Sequence, residues 1–114
     1  MDTSGFERFL DRLVDDTTML RIHQMLAERC DPYVPYDTGR LSRSGLENVS
    51  ASGINYTPSY AYEQYCGTNI HHNPEHHPRA TAYWDKVMMQ EQGDEVKQDI
   101  RNILERRARE LNGE

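Results

Sequence analysis

The sequence is poor in cysteine and has no long hydrophobic run. Its 114 residues include two cysteines, two phenylalanines and one tryptophan. No apolar segment approaches the roughly 20 residues that a membrane span needs, and residues 1–10 lack the basic start and apolar middle of a signal peptide. We therefore expect a protein made in the cytoplasm, with no membrane partner and with Cys30 and Cys66 reduced.

The sequence also lacks an excess of basic residues. Thirteen Lys and Arg stand against nineteen Asp and Glu, which gives a net charge of -6. Proteins that hold nucleic acid tightly need cations to neutralise its phosphates. The composition therefore disfavours tight DNA or RNA recognition but leaves passive proximity to DNA open.

Motifs of catalysis and of metal binding are missing as well. The chain has no nucleophile elbow, no phosphate-cradling glycine loop and no paired helical His motif. The histidine-rich segment 71–77 follows Cys66 without any standard zinc spacing, and adjacent histidines project apart. We expect a protein that is not an enzyme and that uses no metal or cofactor; the alternative of a metal-dependent hydrolase predicts stoichiometric zinc in the purified protein.

What the chain does have is one domain's length and many tyrosines. Hydrophobic residues make up 36% of it, and seven residues are tyrosine. A chain this short buries roughly two-thirds of its unfolded surface, so we expect a thin core and no deep pocket. Tyrosine suits half-buried positions at a core edge or at a subunit interface. Such a fold gains stability from partners that bind only its folded form.

Hydrophobic spacing predicts helices at both ends of the chain. Residues 4–30 are predicted to be helical, as one long helix or as two, with Thr3 or Ser4 as the first cap and Asp16 or Thr17 as the second. Residues 80–112 are predicted to be helical, with a kink or break at 92–94 because glycine weakens a helix. The stripe on the first helix consists of Phe6, Phe9, Leu10, Leu13 and Val14.

The middle of the chain is predicted to be less regular. Residues 31–45 form a turn and a short helix, with Asp37 as N-cap and Gly45 as the stop. Residues 46–65 are β-rich, with a hairpin turn at Ser52–Gly53, although Tyr60–Tyr65 also fits a helix. Residues 66–79 form a histidine-rich loop. The whole chain, 1–114, is thus predicted to be one α+β domain with a small antiparallel β-sheet packed against the N-terminal and C-terminal helices.

Four landmarks follow one another in a recognisable order. They are a helical N-terminus, a P-x-D-T-G-x-L turn, a Y-A-x-x-Q-Y-x-G segment and an H-P-x-A entry into a helix that bears Trp. This order resembles the minor capsid, or head–tail connector (neck), protein family of long-tailed bacteriophages, over about residues 30–90. The residues that carry the resemblance are Pro35, Asp37, Thr38, Gly39, Arg40, Leu41, Tyr60, Ala61, Gln64, Tyr65, Gly67, His77, Pro78, Ala80 and Trp84.

The resemblance implies a structural protein of a siphovirus virion that forms a ring in the neck, between the DNA-filled head and the tail. Its implied partners are copies of itself, a head-completion ring, a tail terminator or tail tube, and double-stranded DNA that passes through the channel unread. The motif residues would then serve as a scaffold. Local chemistry alone predicts that Asp37 and Thr38 cap the helix that Gly39 opens, with Arg40 exposed and Leu41 packed onto the sheet. Composition alone equally suits a non-enzymatic regulatory or toxin–antitoxin-type protein-binding module.

Overall fold

The computed structural model describes residues 2–67 and 75–113, which form five α-helices and a two-stranded antiparallel sheet. The predicted α+β class is confirmed, with helix dominating. A 3-10 turn, Asp31–Tyr33, joins the second helix to the motif. The elements are α1 (Ser4–Leu13), α2 (Asp16–Cys30), α3 (Arg40–Glu47), β1 (Val49–Ser50), β2 (Gly53–Ile54), α4 (Ala61–Cys66) and α5 (Trp84–Asn112).

The N-terminal region is two helices, and Asp15 separates them. Its carboxylate accepts a hydrogen bond from the Thr18 N–H at 3.1 Å and caps α2. The predicted caps Asp16 and Thr17 are therefore wrong by one or two positions, because they already lie inside the helix. At the start of α1 Thr3 occupies the cap position, but its hydroxyl donates to the Glu7 carboxylate and accepts no hydrogen bond from a backbone N–H.

Helix α3 runs through Gly45 and ends at Glu47, so the predicted stop at Gly45 is wrong. A Cβ atom at this position would lie 2.2 Å from Cε1 of Tyr56. The glycine is needed because the Tyr56 ring packs directly against the helix backbone. Position 45 is therefore a glycine because a side chain would clash with Tyr56, and not because the helix ends there.

The sheet is smaller than predicted and its turn lies one residue earlier. Val49 pairs with Ile54 and Ser50 with Gly53, which leaves Ala51–Ser52 as the turn in place of Ser52–Gly53. Of the predicted β-rich region 46–65, only 49–54 belongs to the hairpin, and Ala61–Cys66 is helix α4. The helical period prevails because residues four apart, Ala61 and Tyr65, both pack on the core. Tyr62, which a strand would have placed with Tyr60 on one face, is 77% exposed.

Helix α5 begins at Trp84 and not at the predicted Ala80. The residues before it are held as a connector by backbone hydrogen bonds, from the Thr81 N–H to Tyr33 O at 2.9 Å and from the Tyr83 N–H to Tyr65 O at 2.8 Å. The predicted kink is confirmed at Gln92, whose φ of -123° and ψ of 17° are not helical. Within the described residues, no helix is long and apolar enough to cross a membrane.

The core lies where α2, the 3-10 turn, α3 and the first half of α5 meet. Trp84, 3% exposed, is at its centre, and the rings of Tyr56 and Tyr65 meet its indole edge to face at 5.1 and 4.9 Å. Such aromatic pairs add to the free energy gained by burial. The molecule is elongated, measuring 58 × 27 × 23 Å. The buried hydrophobic residues are Ala27, Cys30, Tyr33, Val34, Leu41, Trp84, Met88 and Val96.

Candidate functional site

The P-x-D-T-G-x-L turn and the Y-A-x-x-Q-Y-x-G segment come together in one cleft, which we call the motif cleft. Its volume is about 270 Å³, and each of its eight lining residues belongs to the set predicted from the sequence. The P-x-D-T-G-x-L turn supplies one wall and α4 the other. The lining residues are Pro35, Asp37, Thr38, Gly39, Arg40, Leu41, Tyr60 and Gln64.

Gly39 shapes the wall formed by the turn. It has a φ of 85°, in the left-handed region that glycine adopts without strain, and it immediately precedes α3. A Cβ atom here would lie 2.6 Å from the hydroxyl oxygen of Tyr36. Gly39 occupies the N-cap position of α3, so the prediction that Asp37 caps this helix is wrong. Thr38 contributes a long hydrogen bond of 3.4 Å from the Arg40 N–H.

The cleft has a buried floor and a charged rim. Leu41 and Gln64 are only 4% and 3% exposed, whereas Asp37 and Arg40 are exposed. Arg40 is thus exposed, as predicted, and Leu41 is buried in the core cluster with Cys30 and Trp84. One carboxylate and one guanidinium on the rim can pair with charges of either sign on a partner.

The remaining residues of the Y-A-x-x-Q-Y-x-G segment fix α4 against α5. The Tyr65 hydroxyl donates to the Asp85 carboxylate at 2.7 Å. This hydrogen bond, together with burial, raises the pKa of Tyr65 to about 12, so the hydroxyl stays protonated. Ala61 lies in the first turn of α4 and packs on the core. Gly67, with a φ of 77°, ends the helix in the left-handed conformation.

The H-P-x-A landmark ties the connector before α5 back to the motif turn. His77 donates from Nδ1 to Val34 O at 2.7 Å, and its Nε2 lies 3.4 Å from the Asp31 carboxylate. Pro78 and Ala80 complete a turn in which the Ala80 N–H donates to His77 O at 3.0 Å. His77 therefore positions the backbone of the motif turn.

A polar network around Tyr33 is a feature that the sequence did not reveal. The buried Tyr33 hydroxyl donates to Glu91 at 2.5 Å and accepts from Gln92 at 2.9 Å and from Arg79 at 3.3 Å. Arg29 in turn donates to the Gln92 side chain at 2.7 Å. The network meets α5 at its kink, which explains why the kink lies at Gln92 and not at Gly93. In the sequence, the only sign of Tyr33 is its position directly after Pro32, in the segment that precedes the motif turn.

The predicted histidine-rich loop falls largely on residues 68–74, which lie outside the described residues. Cys66 belongs to α4, so the loop begins later than predicted. In the described part of the loop, residues 75–79, the His76 ring stacks on the Tyr36 ring with 4.4 Å between the ring centroids. Among the residues that the structure places, no group of three or more His, Cys, Asp and Glu side chains could hold a metal ion.

A second open surface lies on α1, which has no buried residue. Three members of its predicted apolar stripe stay largely uncovered: Phe6 is 64% exposed, Leu10 42% and Val14 54%. The junction of α1 and α2 is tied to α5 by Arg107, which donates to Arg12 O at 3.3 Å and to the Asp15 carboxylate at 2.7 Å. We call Phe6, Leu10 and Val14 the α1 face.

A family described as minor capsid protein matches residues 2–105. The chain belongs to the minor capsid protein family. The match contains the motif cleft and also α1 and α2, so the N-terminal helices are part of the shared domain. No curated protein and no solved structure matches the chain. Membership makes this minor capsid protein a structural component of a virion.

Proposed function

We propose that this minor capsid protein forms a ring in the neck of a tailed bacteriophage of the siphovirus type and joins the DNA-filled head to the tail. Copies of the chain are its lateral neighbours. A head-completion ring and a tail terminator or tail tube are its axial neighbours. Double-stranded DNA passes through the channel without being read, and the ring performs no catalysis.

The observation that carries this proposal is the uncovered α1 face. Contiguous apolar side chains on a soluble surface mark a site of protein association. The face lies on a helix that the family match includes. Head-to-tail contacts between identical subunits bury such a face in every copy and close into a ring when the rotation divides a full turn.

The elongated shape supports contacts with different neighbours at the two ends. Tyr65, on the helix that lines the motif cleft, bonds Asp85 in the first turn of α5, whereas the α1 junction bonds Arg107 near its end. At 1.5 Å per residue these two positions are about 33 Å apart along α5. A subunit of this kind offers the charged rim of the motif cleft to one neighbour and the α1 face to another.

The charge of the chain supports a channel that does not retain DNA. Its net charge is -6, and a wall that attracted phosphates would slow the genome as it passes. Electrostatic attraction of this kind dominates non-specific binding to DNA. A ring of acidic subunits therefore suits passage without readout.

The proposal is tested by producing particles without this protein and imaging them. We expect filled heads and free tails that fail to join, and wild-type protein supplied in trans should restore joining. A difference map between complete and deficient particles should place the missing density as a ring at the neck. Normal joining in its absence, or density on the capsid shell, would overturn the proposal.

A further inference from the structure

The molecule carries an apolar groove between α2, β2 and α5, distinct from the motif cleft. Its volume is about 610 Å³. Burial raises the pKa of the Cys30 thiol to about 12, so Cys30 contributes a neutral, apolar surface. Met89 is 43% exposed, and methionine adapts its shape to an incoming side chain. The groove is lined by Leu26, Cys30, Ile54, Asp85, Lys86, Met88, Met89 and Gln90.

The chain thus bears a convex apolar helix and a concave apolar groove, and the two are attached to α5 at positions far apart. The α1 junction contacts α5 at Arg107, and the groove is lined by α5 residues from Asp85 to Gln90. Arg107 and Lys86 are separated by about 30 Å of helix. Two different, complementary surfaces far apart on one subunit are what head-to-tail association requires.

The α1 face and the groove also carry charged residues of opposite sign beside them. Glu7 and Asp11 are four residues apart and share one side of α1, next to the exposed stripe. Lys86 lies on the rim of the groove. Its neighbour Asp85 accepts the hydrogen bond of the Tyr65 hydroxyl. The acidic edge of α1 and the Lys86 ammonium would therefore attract one another.

We propose that the α1 face of one subunit docks in the groove of the next copy, with Glu7 and Asp11 directed toward Lys86. This contact deepens the proposed neck ring, on which it rests for closure into a ring. Helix α1 has 10 residues and is about 15 Å long. A contact of that length falls in the small interface class, so it holds weakly between two free subunits and firmly in a closed ring.

The first test is zero-length carbodiimide cross-linking of purified virions, read by mass spectrometry of the linked peptides. The chain contains only two lysines, Lys86 and Lys97. We expect Lys86 to be joined to Glu7 or Asp11 of another copy, because the attachment of α1 to α5 at Arg107 lies about 30 Å along the helix from Lys86. Lys86→Arg should abolish that link while retaining the charge, and Lys97→Arg should leave it in place. Links from Lys86 only to other virion proteins would overturn the contact.

The second test mixes two defective variants in solution at high concentration. Phe6→Asp places a carboxylate on the α1 face and leaves the groove intact. Met89→Asp places a carboxylate in the groove and leaves the α1 face intact. Each alone should sediment as a monomer, and their mixture should form a dimer that grows no further. Circular dichroism checks that both variants fold. Self-association of Met89→Asp alone would indicate a symmetric α1–α1 contact and overturn the proposal, as would a mixture that stays monomeric.

The two proposals fail separately. A ring imaged at the neck without the Lys86 link would remove the groove contact and leave the proposed function standing. A mixed dimer in solution, together with density located outside the neck, would support the groove contact and overturn the proposed function.

Discussion

The motif-bearing end of the molecule and the end that carries α1 are held together differently. At the motif end, Tyr33 and Trp84 are almost fully buried and the tyrosine hydroxyl has three partners. At the α1 end, α1 itself has no buried residue, and two ion pairs join the N-terminal helices to α5, with Arg21 at 2.9 Å from Glu110 and Arg107 at 2.7 Å from Asp15. Deep burial stabilises the first end, whereas the second combines half-buried apolar residues with charge pairs.

This difference has a consequence for assembly. Partly exposed ion pairs contribute little to stability and weaken in salt. The α1 end can therefore adjust its position while the motif end keeps its shape. A subunit with one rigid end and one adjustable apolar end would suit the ring that we propose, if the subunit joins it after folding.

The test with the largest expected effect on stability replaces one aromatic residue at each end of the molecule. Trp84→Ala should lower the free energy of unfolding by about 3–5 kcal/mol, because it empties the centre of the core. Phe6→Ala should change it by less than about 0.5 kcal/mol, since that ring is 64% exposed. Urea denaturation followed by circular dichroism measures both. A large loss of stability in Phe6→Ala would show that α1 belongs to the core after all.

The second test compares two glycines. Gly39→Ala should cost about 1–3 kcal/mol, because an L residue at a φ of 85° is strained and Tyr36 must move. Gly93→Ala should instead raise stability by about 0.5–1 kcal/mol, because nothing lies within 4 Å of its Cβ position and alanine favours helix. Thermal melts report both changes. Equal effects of the two substitutions would contradict a special role for the motif turn.

The sequence predicted the fold class better than the element boundaries. The pattern of Phe6 and Leu10 indicated a helix, and that helix formed even though its apolar face stays open. The motif residues Asp37 and Gln64 meet in one cleft, which the sequence did not predict. Asp37 itself was misjudged as a cap, since local chemistry alone could not show that Gly39 would take the left-handed conformation.

Long-range contacts account for the errors. Gly45 has the usual signature of a helix stop, and only the Tyr56 ring, eleven residues later, reveals it as a packing position. Tyr60–Tyr65 alternates like a strand, yet contact of Tyr65 with Trp84 selects the helical period. The hydrogen bonds of Tyr33 with Glu91 and Gln92 join residues 58 and 59 positions apart, which no local pattern encodes.

The smallest expected effect is a weaker attachment of α1 at low pH. The hydrogen bond from the Thr18 backbone lowers the pKa of Asp15 below its ordinary 3.8, and the hydrogen bond from Arg21 lowers the pKa of Glu110 below its ordinary 4.5. Both carboxylates are harder to protonate in the folded chain. Their contribution is therefore complete above these ordinary values and is lost as the pH falls through the lowered ones.

Amide hydrogen exchange at a series of pH values can separate the two ends. Protection of α1 should fall on acidification before protection of the core around Trp84 does. An Asp15→Asn/Glu110→Gln double variant should show the weakened α1 already at neutral pH, with little further change in acid. Glu105→Gln, an exposed carboxylate on the same helix, serves as the matched control and should behave like the wild type. If the double variant kept full α1 protection at neutral pH, the contrast between a buried end and a charge-held end would fail, because α1 would then be anchored by packing.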